Sequence, residues 1–590
     1  MTRRPTPSVR NGPSGRPSIA RSALWVLCFC VAACTGAPEA ADSSATDNAG
    51  ALLERRFDGP PPRPIETRDG DYKIASGGYA DYMRHGFTPR ADLEAYAISL
   101  PFNWKTDPFK DANWRFQLQA WRMLNPMWGE YRESAEPDVL EEILKVVRDW
   151  YRFHVLEGHR SSYQWQDMAT GLRAQHIAYL NHLVADGRWT PEAADAQMLD
   201  ALSDLHARKL HDDAFVSINN HGIFQVHGLR LLCNSVPEIE PCKGEPAFSA
   251  EHMRRLIESQ FDVHGVHRED SSFYHMFAYK TFRGIRMTLY PELPRDALTR
   301  IREAESITPW FTGLDGNLLQ FGDSEGSGVP FSHPRDAGRC WSTTADGQCV
   351  VAKDMHSSGY VSIRSMPGGE ADEAFQFFVV GSSHDAGHDH VDELSFMLSH
   401  RGQPIFVDGG KYGYQNDSYR AYFVSDLAHS VVGLKGVAFR PEQTAGEGSY
   451  LERFIERDGT YEVAGEVRRG DDFAHRRTFR YVPASSLEIS DRVDKPAQSM
   501  LELRYVFAPE LRIEEEGGDE FGIRASDGQK LATLKLHGAV HCEIAFVRGR
   551  KQPDYGGWIS TSYLAVEPTT NLIADCPSQV ASIRTSVQLH

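Results

Sequence analysis

The sequence predicts a multidomain α+β fold. Helices fill 78–305, a link covers 306–350, and an antiparallel β-sandwich fills 351–590. Three observations carry this reading. The chain has 590 residues, enough for more than one core. In the first half apolar residues recur at spacings of three and four. After Val351 alternation and short apolar runs replace that pattern.

The N-terminus reads as a leader over 1–33. Arg3, Arg4, Arg10, Arg16 and Arg21 form a basic n-region, and 23–33 is an apolar stretch too short to span a bilayer. It ends in Val31-Ala32-Ala33-Cys34, similar to a bacterial lipoprotein signal with Cys34 as the lipidated residue. Simple cleavage near Ala33 or Ala37 is the alternative. Either implies export, to the periplasm or to an outer-membrane anchor in a Gram-negative cell. Residues 34–77 are rich in Ala, Ser, Pro and charge without periodicity, and read as a tether.

The helical segments come next, over 114–123, 137–156, 170–186 and 191–209. Pro137 and Pro191 suit a first helical turn, where a missing N–H costs nothing. Short breaks between segments suggest stacked helical hairpins. Trp104, Trp114, Trp121, Trp150, Tyr163 and Trp165 could stack on sugars, although core packing is the commoner use of any one ring. From 306 to 347 Gly, Ser and Asp increase, with a short helix and loop expected at 317–323. Strands are expected at 359–365, 374–380, 395–398, 404–407, 473–481, 486–493 and 501–507.

Six cysteines follow Cys34. Cys233 with Cys242 and Cys340 with Cys349 are short local pairs, leaving Cys542 with Cys576. The alternative is six buried thiols. An even number suits an oxidising compartment. The formal net charge is −18, and removing an arginine-bearing leader makes the remainder more acidic. That opposes general nucleic-acid binding, which needs a basic field. A polyanionic substrate would need a local basic cleft.

Three clusters could do chemistry. The first is Gly387 to His429. His388, His390 and Asp392 sit two apart, which in a strand puts them on one face. Such groups make a poor core. His390, Asp408 and His429 form a His/Asp/His set suited to a borderline metal, leaving His388 beside it for chemistry. The second is Ser217-Ile218-Asn219-Asn220-His221-Gly222, which alone reads as a cap and turn. The third is Asp262 to Tyr279, DVHGVHREDSSFYHMFAY.

The HxHxD stretch, the VDGGKYGY turn and the RAYFVSDLAHS segment resemble, in order, the C-terminal half of the heparinase II/III-like polysaccharide lyases, a group with related alginate lyases. The resemblance implies an incomplete (α/α) toroid ahead of the β-sandwich. It implies β-elimination on a uronic-acid polysaccharide, alginate or a glycosaminoglycan. It maps carboxylate recognition onto Asn220 and His221, the acid onto Tyr274 with His275 beside it, and the base onto His388. A divalent metal, zinc, falls at His390, Asp408 and His429. Arg420 and Tyr422 are added as substrate contacts. Two other functions stay open: a metal-dependent glycan hydrolase, with Asp392 or Glu393 as base, and a non-catalytic glycan-binding lipoprotein.

Overall fold

A computed structural model describes residues 65–72, 78–90, 93–326, 340–384, 387–538 and 541–590. The leader, Cys34 and most of the tether lie outside the described residues. Among those described, eleven α-helices form. They are α1 (Tyr79–His85), α2 (Ala112–Gln119), α3 (Asn125–Ser134), α4 (Pro137–Tyr151), α5 (Asp167–Ala185), α6 (Ala193–Leu210), α7 (Asn220–Ser235), α8 (Glu245–Gln260), α9 (Ser272–Arg283), α10 (Arg295–Ile307) and α11 (Ser418–Phe423). All but α11 build the incomplete toroid.

Pro137 opens α4 as expected, whereas Pro191 lies outside α6, ahead of its N-cap Glu192. Trp104, Trp114, Trp121 and Trp150 are core residues, while Tyr163 and Trp165 are half-buried. Helices α5 and α7 touch backbone to backbone. A Cβ on Gly228 would lie 2.3 Å from the Gly171 carbonyl oxygen, so only glycine permits this approach. That contact fixes the start of α7, where Asn220 and His221 sit.

Two segments expected to be connectors are packed. Ile65 exchanges backbone bonds with the Asn234 side chain, and Asp71 is buried against Arg286 at 2.7 Å. This segment therefore packs onto the helical half, with Tyr72 in its core and Ile65 against it. In the expected link, no helix forms at 317–323. Trp310, Phe311 and Phe321 instead join a core shared with the sheets.

The second half carries antiparallel sheets of six, eight and four strands. The six-stranded sheet is covered on both faces. In its strand Gln376–Val380, Phe377 and Val379 enter the sandwich core, while Phe378 and Val380 meet Phe311 and Phe321 from the helical half. Double burial explains why this strand is a continuous apolar run. The shared core holds the two halves against each other along the line where the site lies.

The His388–Asp392 stretch is not a strand; the strand begins later, at Phe396–His400. Leu394 takes a left-handed φ of 68° and Ser395 N–H closes a turn on the Asp392 carbonyl. Polar alternation here imitates strand periodicity while serving a folded loop. Two fully buried arginines hold that loop. Arg469 pairs with Glu393 at 2.6 Å. Arg477 pairs with Asp491 at 2.7 Å and donates to the carbonyls of Leu394 and Ser430, one beside each metal-type segment. Arg477→Met leaves Asp491 buried without its main partner. We expect a loss of about 3–5 kcal/mol, read by denaturant unfolding; unchanged stability contradicts this role.

Disulfides close Cys233–Cys242, Cys340–Cys349 and Cys542–Cys576. Among the described residues no helix is long and apolar enough to cross a membrane.

Candidate active site

The site begins with two stacked rings. The Tyr274 phenol, from the first turn of α9, lies on the His388 imidazole with centroids 3.6 Å apart and planes 21° apart. One group comes from the helical half and the other from the loop ahead of Phe396. Both are buried. Tyr274 Oη shares a 2.7 Å hydrogen bond with Tyr414 Oη. Burial pushes the Tyr274 hydroxyl well above its ordinary pKa, so it stays protonated.

Asp323 is the hub beneath these rings. Its side chain is fully buried. Oδ2 lies 3.0 Å from His388 Nδ1 and Oδ1 lies 3.0 Å from His390 Nε2. Arg420 closes a two-pronged ion pair on the same carboxylate. Burial opposes the Asp323 charge, but Arg420 and the two imidazoles outweigh it and hold its carboxyl well below the usual range. A carboxylate only accepts hydrogen bonds, so each histidine turns an N–H toward it. The consequence is opposite tautomers two residues apart. His388 directs its Nδ1–H at Asp323, which leaves Nε2 as the ring nitrogen turned away from that carboxylate. His390 carries its proton on Nε2 and keeps Nδ1 free. Both freed nitrogens are buried and without a hydrogen-bond partner. His388 Nε2 stands 3.9 Å from Glu269 Oε2.

Asp323 is held by its neighbour. Gly322 has φ 55°, and a Cβ there would lie 2.1 Å from the Asp270 carbonyl oxygen. Gly322 N–H donates to Asp392 Oδ2, and Asp323 N–H donates to the His388 carbonyl.

At the start of α7, Asn220 is buried with neither amide atom hydrogen-bonded. Such an amide carries an unmet demand for a partner. It makes no hydrogen bond to the Tyr274–His388 pair. His221 Nδ1 contacts Asp167 at 3.0 Å, and Ser217 also donates to that carboxylate.

The remaining expected contacts turn elsewhere. His275 Nε2 bonds Thr308 Oγ1 inside the helical half, and burial lowers its pKa to about 4. Tyr274 and His275 are adjacent on one helix, so their side chains diverge. Tyr422 is buried against Trp558, its hydroxyl 3.4 Å from that carbonyl. Arg420 is committed to Asp323. The tyrosine of the aromatic loop that reaches the site is Tyr414, with Arg420 5.3 Å and Lys411 4.8 Å from its ring centre. Glu393, offered as a hydrolytic base, is engaged by Arg469 and Thr444.

Of the three residues expected to hold a metal, the structure brings Asp408 and His429 within ligand reach of each other. His429 Nδ1 lies 2.8 Å from Asp408 Oδ2, while its Nε2 faces the Phe423 carbonyl at 3.0 Å. With both ring nitrogens facing acceptors, the ring needs a positive charge: its own extra proton, or a cation beside Nδ1. Burial alone would lower the His429 pKa, yet Asp408 pushes it up to about 9. Asp392, Asp408 and His429 offer ligand atoms all within 4.8 Å of one another. The His390 ring lies 5.4 Å from the His429 ring. Asp392 thus takes a place with Asp408 and His429 that was expected for His390, which approaches the group by its ring while its Nε2 faces Asp323.

Asp323, Tyr414 and Asp167 escaped the sequence reading. Tyr414 sits in the quoted VDGGKYGY turn, so a signal existed. Asp323 had none, since its partners lie 65, 67 and 97 residues away.

Residues 63–326 match the family described as heparinase II/III N-terminus, and residues 351–572 match heparinase II/III-like, C-terminal. A curated relative, the heparin-sulfate lyase of Pedobacter heparinus, is 20% identical over 400 residues, covering 63% of this chain and 60% of that protein. The match thus spans less than two thirds of the relative's length. A solved heparinase III structure superposes with a TM-score of 0.68 at 17% identity, over 92% of this chain and 89% of the other. The heparan sulfate lyase HepC from Pedobacter heparinus gives 0.64 at 16% identity, over 89% and 86%. These likenesses establish the fold.

Proposed function

The chain belongs to the heparinase II/III-like family, and from that premise we propose that it is a polysaccharide lyase cleaving a uronate-containing glycosaminoglycan by β-elimination. The observation that carries this reading is the Tyr274–His388 stack, a neutral acid against an imidazole with a free Nε2. Elimination removes the proton at C5 of the uronate and expels the oxygen at C4. His388 Nε2 takes the C5 proton. Tyr274 Oη gives its proton to the departing oxygen and regains one through Tyr414 Oη. A charged carboxylate leaves the C5 proton weakly acidic. The Asn220 amide, buried and unpaired, donates to that carboxylate and stabilises the enolate-like charge as it forms. For the opposite C5 configuration a tyrosine could serve as both base and acid.

A glycosaminoglycan ranks ahead of alginate because the curated relative is a heparin-sulfate lyase. The test is a panel of heparan sulfate, chondroitin, hyaluronan and alginate. New near-ultraviolet absorbance from a conjugated double bond is expected with a glycosaminoglycan. Cleavage of alginate alone overturns the substrate class, and saturated products overturn the reaction.

We also propose a resident zinc ion at His390, Asp408 and His429, with Asp392 alongside. When bound it supplies a fixed positive charge that anchors the loop carrying His388. Chelation is expected to lower Tm, and added zinc to restore it. At a hundredfold excess over Kd the linkage is about 2.7 kcal/mol. A Tm indifferent to both treatments contradicts the site. Export, with Cys34 as lipid anchor, fits three disulfide bridges.

A further inference from the structure

On the helical half, lined by none of the residues of the Tyr274–His388 stack, lies a cavity of about 210 Å³. Its lining includes Trp104, Lys105, Arg115, Arg160, Ser161 and Ser162. Three cations around one small cavity stand out on a chain of net charge −18. Lys105 and Arg160 are exposed, and among the described residues their side chains make no hydrogen bond or ion pair. Arg115 is partly neutralised, since Nη1 pairs with Asp107 at 2.6 Å, and its guanidinium lies 5.4 Å from the Tyr163 ring centre.

The walls are rigid. Gln119 Nε2 donates to both the Trp104 carbonyl and Ser161 Oγ, and Gln119 Oε1 accepts from Trp150. One buried amide thereby clamps the two loops that carry Lys105 and Arg160. Tyr163 is held at φ 68°, a strained conformation for a bulky residue. One wall of the cavity is also joined through the chain to the start of α7. Ser162 lies five residues before Asp167, which bonds His221. Five residues reach at most about 18 Å, which bounds how far this wall of the cavity can lie from Asp167.

We propose that this cavity is a distal subsite holding an anionic substituent of the glycan, a sulfate ester or a carboxylate, between Lys105 and Arg160. It rests on the lyase reading. Ammonium and guanidinium groups on a preformed wall suit an oxyanion, and the serine hydroxyls add neutral donors. Occupancy adds binding energy for long chains and leaves the chemical step untouched.

The test is the double variant Lys105→Ala/Arg160→Ala, with rates measured on polymeric heparan sulfate and on a tetrasaccharide that ends two sugars from the broken bond. The polymer KM is expected to rise roughly five- to tenfold at low salt, with kcat unchanged and the tetrasaccharide unaffected. An unchanged polymer KM, or an equal rise on both substrates, overturns the subsite. Repeating the assay on the same backbone stripped of sulfate separates the sources. A loss confined to the sulfated polymer assigns sulfate, and a loss on both assigns carboxylate. If the parent cleaves neither substrate, the lyase reading fails on its own. The subsite is then decided by equilibrium binding of polymeric heparan sulfate, where equal affinities of parent and double variant overturn it.

Discussion

Asp323→Asn is expected to lower kcat by about 10²–10⁴-fold, in line with the loss when a triad aspartate that fixes a histidine tautomer becomes asparagine. The cause is the pairing of two rings on one carboxylate. Asparagine has one oxygen and one amide nitrogen in place of two acceptors. One of the two histidines then meets an N–H where it met an oxygen. If that ring is His388, its proton moves to Nε2 and the base is blocked. If it is His390, its free Nδ1 is lost to the metal-type set. Either way KM should move far less than kcat, because Asp323 is buried and does not touch substrate. Asp323→Glu keeps an acceptor carboxylate and should recover part of the activity. A kcat equal to the parent's in a folded Asp323→Asn protein contradicts the hub.

Tyr274→Phe is expected to cost a similar factor, about 10²–10⁴ in kcat. Phenylalanine keeps the ring that stacks on His388 and removes only the hydroxyl. The proton that the leaving oxygen needs then has no donor in place. Tyr414 Oη lies 2.7 Å from the lost hydroxyl and could supply residual turnover. Tyr274→Phe/Tyr414→Phe should therefore fall below either single variant. Steady-state rates with polymer binding in parallel check this. Loss of binding together with rate would place Tyr274 in substrate recognition.

The order of helices then strands was legible because periodicity is local. So was the grouping of histidines and aspartates after Gly387, since residue type limits what such a cluster can do. The form of that segment was not legible. His388, His390 and Asp392 alternate as strand residues do, yet they belong to a loop whose shape depends on Arg469 and Arg477, many residues later. Asp323 was hidden for the same reason: a Gly- and Ser-rich stretch reads as a link until its distant partners are known. The choice of Tyr422 over Tyr414 had no periodicity to guide it, because the loop has none. His275 could have been set aside on sequence grounds, since neighbours on a helix point about 100° apart.

The central claim is that the bond breaks by elimination across Tyr274 and His388. The most direct measurement is product mass after digestion in heavy-oxygen water. Elimination consumes no water, so the account predicts, in a digestion short against anomeric exchange, unlabelled fragments, one of them unsaturated, whose masses sum to that of the uncut oligosaccharide. Two saturated fragments whose masses sum to that of the uncut oligosaccharide plus one water would contradict it.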